Sequence, residues 1–92
     1  MAERMPLAQL LAQYGPGSYG PPWSWDDEVR DLVDQDPSYQ RELEAELLAQ
    51  GVREPVLLGP DGRVWDGHHR VVAAIRLGLP DLPVLVAAET PA

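Results

Sequence analysis

An α+β fold is what the sequence predicts, and three observations carry the prediction. Apolar residues recur at helical spacing as far as Gln50, the pattern turns strand-like from Val52, and a last apolar helix runs into a last apolar strand. The expected layout is a set of N-terminal helices followed by a small mixed sheet of hairpin, helix and strand. At 92 residues the chain is read as a single domain, near the small end of what folds alone. A homodimer would add buried surface.

The elements follow in order. Pro6 suits a first helical position, and Leu7, Leu10, Leu11 and Tyr14 share one helical face. This predicts a helix from Met5 to Tyr14, stopped by Gly15. From Gly15 to Trp23, the run Gly-Pro-Gly-Ser-Tyr-Gly-Pro-Pro-Trp predicts a stiff aromatic loop. Tyr19, Trp23 and Trp25 either pin it to the core or, with both tryptophans exposed, anchor a protein partner. Ser24 caps the next helix, with Asp26 and Asp27 in its first turn. Trp25, Val29, Leu32 and Val33 form its inner face, and Asp26, Arg30 and Asp34 lie opposite. Asp36-Pro37 opens a further helix to Gln50, closed by Gly51. Its expected apolar face is Tyr39, Leu43, Leu47 and Leu48, with Glu42, Glu44 and Glu46 in solvent.

Glu54 to Leu58 then reads as a strand, Gly59-Pro60-Asp61-Gly62 as a turn and Arg63 to Trp65 as the returning strand. A helix from His69 to Leu77 follows, stopped by Gly78. Val71, Val72, Ala74, Ile75 and Leu77 make it the helix expected to be most buried. Leu82 to Ala87 is the last strand, with Pro83 near its start.

Charge and composition narrow the function classes. The net charge of −8 is uneven. Nine acids (Asp26, Asp27, Glu28, Asp31, Asp34, Asp36, Glu42, Glu44, Glu46) lie between Asp26 and Glu46, against Arg30 and Arg41. Direct duplex DNA binding, which relies on basic side chains at phosphates, is not expected. All seven basic residues are Arg, so a Walker-type phosphate loop is excluded. No Cys is present for a disulfide or a thiolate site. The N-terminus lacks a secretory pattern, and no apolar run approaches the roughly 20 residues that span a bilayer. A cytoplasmic protein with no membrane contact is expected.

The chemistry concentrates in Val64-Trp65-Asp66-Gly67-His68-His69-Arg70, where a short strand turns through Gly67 into the apolar helix. Gly67 allows a tight turn, and the N–H groups of His68, His69 and Arg70 are among those a helix leaves unsatisfied at its start. An anion there gains the helix field, and Arg70 can add charge-assisted hydrogen bonds. Either imidazole can donate to phosphate or move a proton near neutral pH. Asp66 can cap the helix, orient an imidazole or hold Mg²⁺ beside phosphates. The bland alternative is a tight cap whose polar side chains face water. Zinc is not expected, because adjacent helical histidines diverge and no Cys completes a site. Ser18, Ser24 and Ser38 lack the strand–turn–helix setting of a hydrolase nucleophile.

From Leu43 to Val86 the chain resembles the ParB/sulfiredoxin superfamily, in its stand-alone ParB-like N-terminal (nuclease-type) form. The resemblance rests on Leu47-Leu48-Ala49-Gln50-Gly51-Val52, Glu54-Pro55-Val56-Leu57-Leu58, Asp66-Gly67-His68-His69-Arg70, Ala73-Ala74, Leu77-Gly78-Leu79 and Leu82-Pro83-Val84-Leu85-Val86, in that order. Residues 37–88 form the core it implies, with 1–36 as an N-terminal extension. It implies a nucleotide site for ATP, ADP or CTP, with Mg²⁺ beside it. Gly67 and Arg70 match the phosphate-gripping Gly-x-x-Arg turn. His68 stands where sulfiredoxin keeps its catalytic Cys, so sulfinic acid repair is not expected. ParB continues into a helix-turn-helix region; here six residues follow Val86, so self-contained partitioning is not expected either.

The leading expectation is a nucleotide-binding domain with NTPase or small-molecule phosphotransferase activity. Gly67, His68, His69 and Arg70 would hold phosphate, His69 and His68 would serve as donor or acid/base, and Asp66 and Glu54 would supply carboxylates. One alternative is a non-catalytic interaction module, such as a phage or mobile-element accessory protein. It would use the acidic helices or Trp23 and Trp25. The other is a metal-dependent nuclease relying on Asp66.

Overall fold

Along the described residues strands and helices interleave, with one pair of successive helices and one pair of successive strands. A computed structural model of the chain describes residues 3–17 and 23–87. Ser18, Tyr19 and the Pro21-Pro22 pair of the expected aromatic loop lie outside the described residues. The order is β1 (Glu3–Pro6), α1 (Leu7–Gln13), β2 (Gly15–Pro16), α2 (Trp25–Gln35), α3 (Pro37–Gln50), β3 (Val56–Leu58), β4 (Arg63–Asp66), α4 (His68–Leu77) and β5 (Asp81–Val86). This is the α+β class that the change of period predicts.

The five strands form one mixed sheet in the order β1-β5-β3-β4-β2. β3 and β4 are the expected hairpin, antiparallel with a register shift between Leu57 and Leu58. β5 runs parallel to β3, so α4 is the crossover that carries the chain from β4 to the far side of β3. β1 lies antiparallel to β5 on one edge, and β2 lies parallel to β4 on the other. Residues 3–16 therefore supply both edge strands, with α1 crossing between them.

Both edge strands depart from the sequence prediction. The sequence predicts a helix from Met5, yet Pro6 is extended (φ −55°, ψ 137°) and closes a strand instead. Gly15 and Pro16, expected in a loop, pair with Arg63 and Val64. A two-residue bridge has no periodicity to read, and edge pairing is decided by the partner strand rather than by local preference.

The core joins Val56, Leu58, Val64, Leu82 and Val84 of the sheet to Leu10 of α1 and Val71 and Ala74 of α4. Met5, Leu7, Leu11, Tyr14 and Trp25 pack around it, so the inner face predicted for α1 holds. Val71, Val72, Ala73 and Ala74 are fully buried, in line with the apolar reading of α4. On α3 the expected face is rotated. Tyr39 and Leu48 are exposed, while Gln40 and Leu47 are buried. Glu44, expected in solvent, turns inward and pairs with Arg76 of α4 at 3.1 Å. The inward side of α3 is thus Gln40, Leu43, Glu44 and Leu47, which a hydrophobicity count passes over because half of it is polar.

The caps follow the sequence on α2 and α3. Ser24 and Asp27 form a reciprocal capping box, and the hydrogen bonds from Ser24 hold the Asp27 carboxyl below its usual range. Asp36 accepts from Tyr39 N–H, with Pro37 in the first turn of α3. Among the described residues, no helix is long and apolar enough to cross a membrane.

Candidate functional site

The α4 start is built by Gly67. It holds the N-cap position in the left-handed region (φ 98°), where a side chain is strained. A Cβ there would also stand 3.1 Å from Arg70 Nη2 and 3.3 Å from the Val56 Cα. The left-handed backbone strains any larger residue here, and the tight contacts require Arg70 or the β3 backbone to give way as well. The first intrahelical bond runs from Val71 N–H to the Gly67 carbonyl, and no side chain caps the N–H groups that precede it. Asp66, expected as a possible cap, does not fill that role. It ends β4 one position too early, exposed at the cleft edge.

Successive helical residues point about 100° apart, so the three polar residues after Gly67 meet three different neighbours. His68 turns toward α2 and β2. Its Nε2 accepts from Gly17 N–H at 3.0 Å, and its ring lies 6.5 Å from the Trp25 indole. Glu28, fully buried on α2, acts on the same ring. Burial lowers the His68 pKa below its ordinary 6.5, opposed chiefly by the Glu28 charge and then by the Val64 carbonyl and Asp66. A neutral ring suits the geometry, since an imidazolium has no lone pair with which to accept the Gly17 hydrogen. Gly17 itself has no room for a side chain, because a Cβ would strike the Val64 carbonyl.

His69 turns toward α3. Its Nδ1 lies 3.0 Å from Gln40 Oε1, and Gln40 Nε2 donates back to the His69 carbonyl at 3.2 Å. Tyr39 meets the ring edge-on at 4.9 Å. Arg70 folds back over Gly67 toward the start of β3, where Nη1 donates to Glu54 at 3.0 Å and Nη2 to the Pro55 carbonyl at 3.4 Å. The Arg70 side chain is only 18% exposed whereas that of Glu54 is 81% exposed, so the carboxylate is the free end of this pair.

These residues open onto a cleft of about 250 Å³ lined by Leu32, Tyr39, Leu43, Asp66, Gly67, His68, His69 and Arg70. A second hollow of about 360 Å³ adjoins it along α3, sharing Tyr39, Leu43 and Arg70 and adding Arg53, Glu46 and Glu54. The structure thus brings Asp66, Gly67, His68, His69 and Arg70 together at one cleft, with Glu54 reaching it through Arg70. Trp25 belongs elsewhere. Its Nε1 donates to the Tyr14 carbonyl at 2.8 Å, which ties the start of α2 to the end of α1, and Trp23 is likewise half-buried. The exposed tryptophan is Trp65 of β4.

Two further contributors were missed, Glu28 and Gln40. Each lies on a core face, spaced with apolar neighbours as in Trp25, Glu28, Leu32 and in Gln40, Leu43, Leu47. A polar residue at such a position was the available signal. Among the described residues, no three His, Asp or Glu side chains gather as a metal cluster. No family model matches the chain, and no curated protein matches it.

Proposed function

We propose that this chain is a ParB-like nucleotide-binding domain that holds the phosphates of its ligand at the start of α4. One observation carries the reading: the α4 N-terminus has no side-chain cap and lies at a cleft lined by two histidines and an arginine. Uncapped helix N–H groups beside a guanidinium suit phosphate better than any neutral group. The adenine and cytosine nucleotides (ATP, ADP, CTP) are the ligands that the family resemblance favours. Asp66, the carboxylate on the cleft lining, is the residue to share a Mg²⁺ ion with those phosphates. Phosphotransferase or NTPase chemistry at this cleft would use His69 as acid or base, since His68 is committed to Gly17 N–H.

The test is a thermal unfolding series with ATP, ADP and CTP, with and without Mg²⁺. Ligand at a hundred times its Kd adds about 2.7 kcal/mol, a Tm rise on the order of 10 °C for a domain of this size. Arg70→Ala is expected to abolish the rise, measured against the variant's own unliganded Tm, which the loss of this mostly buried side chain also lowers. No shift with any of the three at millimolar concentration would reject the reading.

An interaction module is the second reading, favoured by the sheet face opposite the helices. Leu57, Trp65 and Leu85 alternate with the buried Val56, Val64 and Val84, and Trp65 and Leu85 are about half exposed. Any such role belongs to this face rather than to Trp23 and Trp25. Sedimentation of the wild type and Trp65→Ser tests its simplest form, a homodimer.

A further inference from the structure

We infer that Gln40 is a positioning residue for His69, holding its neutral imidazole as the Nδ1–H tautomer so that Nε2 is left as a proton acceptor at the cleft.

The inference starts from which atoms can donate. The His69 carbonyl oxygen can only accept, so the Gln40 atom 3.2 Å from it is the amide nitrogen. That orients the amide, and places Oε1 against Nδ1 at 3.0 Å. Oε1 has no hydrogen to give, so Nδ1 carries one. In the neutral ring the lone pair is then on Nε2. Gln40 cannot reverse the arrangement by flipping, because the flipped amide would set its oxygen against the carbonyl oxygen.

Burial makes the clamp firm. Gln40 is fully buried on α3, and leaving either end of its amide unpaired costs about 1–3 kcal/mol. A free histidine side chain favours the opposite tautomer, with the hydrogen on Nε2. The α3–α4 contact thus selects the less common form on a residue that lines the cleft. The consequence concerns the ligand. A neutral His69 does not donate to a bare phosphate oxygen through Nε2. It accepts from a hydroxyl, an amine or a water held beside the phosphate, which is the position of a general base. This consequence rests on the phosphate reading of the cleft, whereas the tautomer does not.

The experiment has two arms. Nitrogen-15 NMR of the unliganded protein above pH 8 reports the tautomer. Wild type is expected to show a protonated Nδ1 and a bare Nε2 at His69. Gln40→Met, similar in size and without an acceptor oxygen, is expected to revert to Nε2–H. An Nε2–H majority in wild type, or an unchanged tautomer in Gln40→Met with the fold intact by circular dichroism, would overturn the inference. The second arm compares ADP with pyrophosphate, which lacks nucleoside hydroxyl and amino groups. Gln40→Met is expected to weaken ADP at least fivefold and to leave pyrophosphate within twofold. An equal loss of both would overturn the acceptor role. Failure of the wild type to bind either compound would reject the phosphate reading and the acceptor role built on it, leaving the tautomer to the first arm.

Discussion

His68 and His69 are neighbours in sequence, share one helical turn and do opposite work. His68 faces α2 and β2, where Gly17 N–H, the Trp25 ring and the buried Glu28 carboxylate close over it. Its acceptor nitrogen is consumed by the fold. His69 faces α3, where the Gln40 amide takes the Nδ1 hydrogen and leaves the other nitrogen unspent. One imidazole is a latch on an edge strand, and the other is a positioned group on a cleft. The contrast teaches that residue type and spacing do not assign a role when a helix rotates its residues onto different neighbours.

The most severe way to break the comparison is to remove the turn that both sides share. Gly67→Ala forces a side chain into a left-handed conformation and against the Arg70 guanidinium. It is expected to cost roughly 2 kcal/mol or more in urea unfolding and to lose nucleotide binding as well. A stable variant that binds normally would show that the turn is not the organiser of the site.

His68→Ala separates the two sides. It removes the exposed hydrogen bond from Gly17 N–H and opens space beside Trp25, for an expected loss of about 1 kcal/mol. The nucleotide affinity of the folded protein is expected to stay within twofold. If binding collapses while stability holds, His68, which also lines the cleft, contacts the ligand and the division is wrong.

A smaller effect lies in pH. His68 binds its proton less readily folded than unfolded, so the folded state is disfavoured as the proton becomes available. Its contribution to stability is full above the unfolded value of about 6.5. It declines as pH falls below that value toward the lowered folded one. His68→Gln can still accept from Gly17 N–H but cannot titrate. Urea midpoints between pH 8 and 5.5 are expected to fall more steeply for wild type than for the variant, and parallel profiles would remove His68 as the cause.

The smallest change concerns the open side. Glu54 is the solvent-exposed partner of Arg70, and an exposed ion pair contributes at most about 1 kcal/mol. An anion arriving at Arg70 competes with that carboxylate. Glu54→Gln is therefore expected to tighten nucleotide binding by up to about fivefold in calorimetry, with stability nearly unchanged. Weaker binding would instead make Glu54 a direct contributor, as the sequence expectation of a second carboxylate had it.

Much of the central fold is legible from residues alone. Gly59-Pro60-Asp61-Gly62 between apolar runs announces the hairpin, Ser24 and Asp36-Pro37 announce two helix starts, and Gly67 and Gly78 bracket α4. These are local signals, set by backbone preference and periodicity within a few residues. The gathering of Asp66 through Arg70 at one place is of the same kind, because they are consecutive.

The partners were settled at longer range. Edge strands β1 and β2 exist because β5 and β4 offer unpaired backbone, and a four-residue and a two-residue strand carry no periodic pattern of their own. Tyr39 and Leu48 looked like core until the rotation of α3 against α4 placed Gln40 and Glu44 inward. The sequence by itself determined an acidic α+β domain with a glycine turn and a polar helix start. Only the tertiary structure decided that one histidine secures an edge strand and the next is held by a buried glutamine. Hydrogen-bond partners 29 and 51 residues away are chosen by how helices and strands pack, and no local pattern encodes that choice.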